Sequence, residues 1–160
     1  MQQYWLNNNE LTLKVKKAPL LVRGVMFIFS FLFFTFSSLG MIVSVLSGNK
    51  LHIGFFIGIG VFGLLGFYLL RISLWNTYGS EKIIFTKLNT TYEVNYKWFK
   101  DGKKVKEIIP LTFSIIPIGY EEDNTGVLKI GNNDSSINCV TKLPVIEIEK
   151  LIIELKKIPL

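Results

Sequence analysis

Residues 24–46 and 51–70 are two apolar runs, separated by the polar tetrad Ser-Gly-Asn-Lys at 47–50, and His52 is their single ionisable side chain. No other feature constrains the fold as strongly. The first run is 23 residues long, which as an α-helix rises about 34 Å, and the second about 30 Å, against a hydrocarbon core of roughly 30 Å. The sequence therefore predicts a transmembrane hairpin with spans at 24–46 and 51–70, within a segment 20–72. A cleaved signal peptide is not expected: the first run is too long, no small-residue cleavage pattern follows, and a second run comes directly after it.

Charge predicts the orientation. Lys14, Lys16, Lys17 and Arg23 precede the first run against Glu10 alone, Arg71 and Lys82 follow the second, and Lys50 is the one cation between them. The positive-inside rule then places both termini in the cytoplasm, so the expectation is a multi-pass membrane protein, N-in and C-in. Tyr4, Trp5, Tyr68, Trp75 and Tyr78 fit an interfacial aromatic belt. The net charge of +6 comes chiefly from these topology signals, since residues 73–160 hold 12 lysines against 11 acids. A nucleic-acid partner is not expected, because such binders concentrate basic charge on the folded domain.

Small residues are patterned within the runs. Ser30, Ser37, Gly40, Ser44 and Ser47 share one narrow face of the first helix, while the second has Gly54 and Gly58 at GxxxG spacing, then Gly60, Gly63 and Gly66. Small residues allow helix backbones to approach closely. Ser30, Ser37, Gly40, Ser44, Gly54, Gly58 and Gly63 are therefore the expected helix-packing positions, within the hairpin or against another copy or membrane protein. An aqueous pore is disfavoured, since neither run carries a charge.

Outside the runs, the length left over allows one small domain at 73–160 and a cytoplasmic segment at 1–19. Residues 10–16 alternate like a strand that either pairs with the tail's sheet or lies at the membrane surface. Residues 81–87 and 92–98 read as strands, Asp101-Gly102 as a tight turn within 100–103, and 104–109 as the returning strand ended by Pro110. Shorter strands are expected at 113–118, 126–130 and 136–141, separated by turns at 121–125 and 131–135. A final amphipathic helix at 144–157 presents Val145, Ile148, Leu151, Ile152 and Leu155 on one face, with Glu147 and Glu149 near its start and Lys156 and Lys157 at its end.

Two apolar helices, a strand pair, the stretch 107–116, the strand Val127-Leu-Lys-Ile130, another strand and a closing helix together resemble the bacterial pleckstrin-homology-like domain proteins that carry an N-terminal two-helix membrane hairpin. The resemblance is one of layout over residues 20–157. It implies an α+β membrane protein in which a small antiparallel PH-like β-domain, closed by a C-terminal amphipathic helix, follows the hairpin. That family has no catalytic signature to carry over. Leu74-Trp75-Asn76 with Gly79 is also similar to the photosystem I assembly factor of chloroplasts and cyanobacteria, which points towards assembly functions.

Catalytic chemistry is sparse. One His and one Cys are present, and the topology puts His52 across the membrane from Cys139, so no Ser-His-Asp or Cys-His set is expected. Cys139 reads as a buried small hydrophobe and His52 as an interfacial polar residue without a role. Glu121, Glu122 and Asp123 are consecutive in a turn and diverge, so no metal site is expected, and no cofactor motif occurs. The glycosylation patterns at Asn89 and Asn133 are irrelevant in a cytoplasmic domain. The one charged surface of interest is Lys97, Lys100, Lys103, Lys104 and Lys106 with Trp98, either an anionic-lipid contact or an edge strand protected by lysines. The expected function is a non-catalytic, membrane-anchored interaction or assembly subunit, with lipids and other membrane proteins, or itself, as partners. A ligand-gated effector whose hairpin oligomerises and a peripheral anionic-lipid sensor are the alternatives.

Overall fold

The computed structural model describes residues 3–48, 52–108, 110–132 and 135–158. The topology lysine Lys50, the expected start of the second span at Leu51, the strand end at Ile109 and the glycosylation pattern at Asn133 lie outside the described residues. The chain forms two compact units, one of Lys17–Thr77 and one of Met1–Lys16 with Tyr78–Leu160.

The first unit is a pair of helices, α1 (Leu20–Leu46) and α2 (Ile53–Tyr78), both long and apolar enough to cross a membrane. Pro19 caps the start of α1, where its missing N–H costs nothing. α2 continues eight residues past the apolar run, since nothing in Arg71–Tyr78 breaks a helix. Several small and polar side chains of this unit are buried and many large apolar ones are exposed. Ser30, Ser44, Gly66, Ser73 and Thr77 are buried together with Leu74, whereas Ile28, Phe29, Phe36, Ile57 and Leu64 are each more than half exposed. Ser30 Oγ donates to the Gly66 carbonyl at 2.8 Å, and Phe33 stacks on Phe62 at 5.9 Å. The approach is tight enough that a Cβ at Gly66 would lie 3.1 Å from both the Ser30 carbonyl oxygen and the Phe34 ring. The hydroxyls of Thr35, Ser38, Ser73 and Thr77 bond back to their own helix, to Phe31, Phe34, Leu69 and Ser73 in turn, so they need no water.

The second unit is α+β. Its larger sheet is an antiparallel meander of β1 (Tyr4–Asn7), β2 (Glu10–Lys14), β3 (Ser80–Phe85), β4 (Thr90–Asn95) and β5 (Lys100–Lys106), in that order. β2 and β3 are hydrogen-bonded neighbours from Glu10↔Ile84 to Lys14↔Ser80, although the helical unit separates them in sequence. The alternative left open for residues 10–16 is thus decided in favour of pairing with the tail's sheet. β1, which the sequence does not announce, completes the edge, and its Tyr4 is a core residue rather than part of an aromatic belt. Alternation sorts the faces cleanly: Leu11, Leu13, Ile83, Phe85, Tyr92 and Val94 point inward, and Thr12, Lys82, Ile84, Thr91 and Glu93 outward.

The expected Asp101-Gly102 turn is not where the chain reverses. The β4–β5 connection is Lys97-Trp98, closed by Tyr96 N–H donating to the Phe99 carbonyl at 2.9 Å and by a Tyr96–Phe99 stack at 4.7 Å. Asp101-Gly102 instead begins a β-bulge in β5. The register steps from Tyr92↔Lys104 to Val94↔Asp101, so two residues face Glu93, and Gly102 supplies the positive φ of +64°. The aromatic stack favours the nearer turn by about 1 kcal/mol, and Gly102 is used for the bulge.

The smaller sheet has β7 (Thr125–Gly131) at its centre, β6 (Phe113–Pro117) on one side, and β8 (Ser136–Asn138) with β9 (Leu143–Pro144) on the other. β8 and β9 follow one track along β7, interrupted where Val140 and Thr141 leave it. The closing helix α3 (Val145–Leu155) buries Ile148, Leu151 and Leu155 over β6, β7 and β9, close to the expected apolar face. Phe85 meets Phe113 edge-on at 6.1 Å, joining the two sheets' cores.

Gly66→Leu is expected to force the helices apart and destabilise the helical unit by about 2 kcal/mol, whereas Gly54→Leu, placed where an added Cβ meets nothing within 4 Å, should leave it unchanged. Helical circular dichroism melts of the full chain in mild detergent distinguish the two.

Candidate functional site

Two places in the β unit concentrate polar chemistry. The first is Glu81. Strand alternation puts Glu81, Ile83 and Phe85 on one face of β3, so its carboxyl group stands in the cross-strand row Leu13, Glu81, Val94, inside the core and fully buried. Tyr92 donates its O–H to Oε1, Val140 N–H reaches Oε1 at 2.7 Å, and Thr141 N–H reaches Oε2 at 2.7 Å. These amides belong to the two residues that leave the β7 ladder between β8 and β9. What the small sheet loses there in ladder bonds is recovered as bonds from these two amides to the Glu81 carboxyl group. Glu81 thereby ties the large sheet to the small one. No ion pair to it occurs among the described residues, so its compensation is these three donors alone.

Cys139 sits beside this group, buried, with its N–H donating to Leu128. Burial first, and then the neighbouring Glu81, push its thiol well above the ordinary value. Burial and Glu81 likewise raise the Tyr92 phenol. Both groups keep their protons at neutral pH, so neither is poised as a nucleophile or a base. Burial and the adjacent Glu154, which accepts from its O–H at 3.4 Å, raise Tyr4 too. Among the described residues no group of three or more His, Cys, Asp or Glu side chains is placed to hold a metal ion.

The second place is the β4–β5 hairpin. Trp98 is 60% exposed at its tip, and Lys97, with φ of +76°, lays its ammonium 4.4 Å over the Tyr78 ring. The remaining lysines are spread along β5 rather than clustered. Lys100 pairs with Glu93 at 2.9 Å, Lys106 donates to the Ser136 carbonyl at 2.8 Å, and Lys103 and Lys104 are exposed. β5 is an outer strand of its sheet.

The helix-packing positions are divided. Ser30 and Ser44 are buried, Ser37 is half-buried and bonds to Phe33 and Phe34 of its own helix, and Gly40 faces Phe55 at 4.0 Å. Gly54, Gly58 and Gly63 have open space where a side chain would be, and the close approach falls at Gly66. His52 is exposed, and its carbonyl accepts from Phe55 N–H at 3.0 Å. The outer face of the large sheet holds a shallow open depression between Trp5, Asn9, Thr12 and Ile84.

Sequence reasoning passed over Glu81. The signal was present: a carboxylate two residues before Ile83 and four before Phe85 is in phase with the inward positions. Its two backbone donors, by contrast, lie 59 and 60 residues away and leave no local trace. Comparison with family models, with curated proteins and with solved structures gives no match.

Glu81→Ala strands three donors, two of them buried, and should cost about 3 kcal/mol, with Tyr92→Phe costing about 1 kcal/mol. Denaturant unfolding of the full chain in mild detergent, followed by near-UV circular dichroism, measures both. A second expectation concerns pH. Because the Cys139 thiol titrates higher in the fold than in the unfolded chain, its contribution is fully present below the ordinary value of 9.0 and is lost as pH rises above it. Stability should be level from neutral pH to that point and then fall, and Cys139→Ala should delay the fall until the Tyr92 range, whose ordinary value is 10.0. Unfolding midpoints across alkaline pH test this.

Proposed function

We propose that this protein is a non-catalytic, membrane-anchored interaction or assembly subunit of a bacterial membrane complex. In this reading α1 and α2 cross the cytoplasmic membrane, both ends of the hairpin are cytoplasmic, and the β unit is a PH-like domain held at the inner face. The observation that carries it is the reversed burial of the helix pair. A helix pair in water would hide Phe29, Phe36, Ile57 and Leu64 and expose Ser30 and Ser44, whereas here those large apolar groups face outward and these two serines inward. That distribution is stable only where the surroundings are themselves apolar.

The β2–β3 pairing supports the orientation. Residues 14 and 80 are ladder partners and Val15 N–H donates to the Gly79 carbonyl at 3.0 Å, so the chain enters and leaves the helical segment from one edge-to-edge strand pair. An even number of crossings satisfies that geometry, as does the distribution of Lys14, Lys16, Lys17, Arg23 and Arg71. The PH-like assignment is supported by two antiparallel sheets closed by a C-terminal helix. An interaction role is supported by the open glycine face at Gly54 and Gly58, which the α1 contact leaves unused.

In a Cys139→Ser background, a membrane-impermeant maleimide applied to intact spheroplasts should label Ser47→Cys and spare Asn8→Cys and Lys142→Cys. Gentle-detergent purification should recover integral partners in stoichiometric amount, and Gly54→Leu with Gly58→Leu should release them. Recovery of the isolated monomer alone, from cells that express the chain at its native level, overturns the interaction role.

A further inference from the structure

The hairpin tip between β4 and β5 has an unusual construction. A tryptophan stands 60% exposed beside a lysine in the left-handed region, a backbone conformation that side chains other than Gly, Asn and Asp seldom adopt. Below them, Tyr96 is buried and stacked on Phe99, so the base of the turn is rigid while Lys97-Trp98 projects. In a water-soluble turn the position of Lys97 would ordinarily hold Gly, Asn or Asp. The tip also has a fixed neighbour, since Lys97 Nζ lies 4.4 Å over the ring of Tyr78, the last residue of α2.

α2 has 26 residues, a rise of about 39 Å against a hydrocarbon core of roughly 30 Å. Its first charge is Arg71, so the last two turns, which carry Trp75 and Tyr78, fall at headgroup depth. The residue against which the tip packs is therefore itself an interfacial one. Residues 93–106 carry five lysines against Glu93 and Asp101, an excess of +3. Glu93 is engaged with Lys100, and Lys103 and Lys104 remain exposed on the same hairpin.

We propose that the β4–β5 tip is a membrane-surface anchor, in which Trp98 inserts among the headgroups of the anionic cytoplasmic leaflet and Lys97, Lys103 and Lys104 supply the attraction. The indole suits that depth because its ring is apolar and its N–H can donate to phosphate or carbonyl oxygens. The hairpin would then tether the β unit to the bilayer surface. This inference rests on the reading of α1 and α2 as membrane spans.

The test uses the full chain carrying Trp5→Phe and Trp75→Phe, reconstituted singly into nanodiscs of phosphatidylcholine or of equal parts phosphatidylcholine and phosphatidylglycerol. Trp98 emission should shift to the blue in the anionic discs, with quenching by lipids brominated near the headgroup about twofold stronger than in neutral discs, and added salt should reduce the difference. Water-like, unquenched emission in the anionic discs overturns the proposal, and equal quenching in both lipids overturns it as well, because charge would then play no part. A sister variant that keeps Trp75 alone reports on the hairpin: if Trp75 is unquenched, the spans are not in the bilayer and the underlying reading fails instead. Should the tryptophan replacements not fold, deuterium exchange of residues 96–99 in the unaltered chain reads the same contact. Exchange about tenfold slower in anionic than in neutral discs supports the anchor, and equal exchange overturns it.

Discussion

The β2–β3 ladder is the interaction on which the rest of the structure depends. It joins Glu10–Lys14 to Ser80–Phe85 across the whole helical unit, so five cross-strand pairs close a loop of more than sixty residues. Loop closure of that length is costly in chain entropy, though the cost grows only slowly with length. It is offset because the ladder sits mid-sheet, with Leu11 and Leu13 on one strand and Ile83 and Phe85 on the other buried in the same core. Without β2, β3 would become an edge strand and the inner face of the meander would lose two of its fully buried leucines. The helical segment is, in topological terms, an insertion into a β-hairpin.

Both units solve the same problem of polar groups placed away from water, by different means. In the helix pair, hydroxyls bond to backbone carbonyls one turn earlier, and Ser30 reaches across to Gly66. In the β unit, the Glu81 carboxyl group takes three donors, two of them backbone amides that the β8–β9 interruption frees. A buried carboxyl group of this kind contributes specificity as well as stability, because the two sheets fit together in the one arrangement that brings Val140 and Thr141 to it. Cys139, Tyr92 and Glu81 form one polar patch in the core, and the raised titration of the thiol and the phenol follows from their burial there and from the neighbouring Glu81.

Much of this was legible along the chain. The apolar runs mark both long helices, period-two alternation marks β3 and β4, and the spacing of Ile148, Leu151 and Leu155 marks the buried stripe of α3. Each signal is local: a helix or strand repeats its own pattern within one element. The β4–β5 turn was misplaced because Asp-Gly serves a bulge as well as it serves a tight turn, and the choice lies in cross-strand register and in the Tyr96–Phe99 stack. The same holds for the hairpin lysines. Five of them within ten residues suggest a cluster, but pleat, bulge and separate partners at Glu93 and Ser136 distribute them along β5.

The sequence by itself determined the three helices and most of the strands, β1 and β9 excepted, that two of the helices are long and free of acid, and where positive charge flanks them, because these follow from composition and periodicity within a dozen or so residues. The tertiary structure alone decided that residues 4–14 join the tail's sheet, that the helices meet at Ser30 and Gly66 rather than along Gly54 and Gly58, and that Glu81 is a buried tie between sheets. Those outcomes depend on partners 36 to 74 residues distant, and pairing at that range is set by which faces fit together and which donors find acceptors, neither of which is written in local pattern.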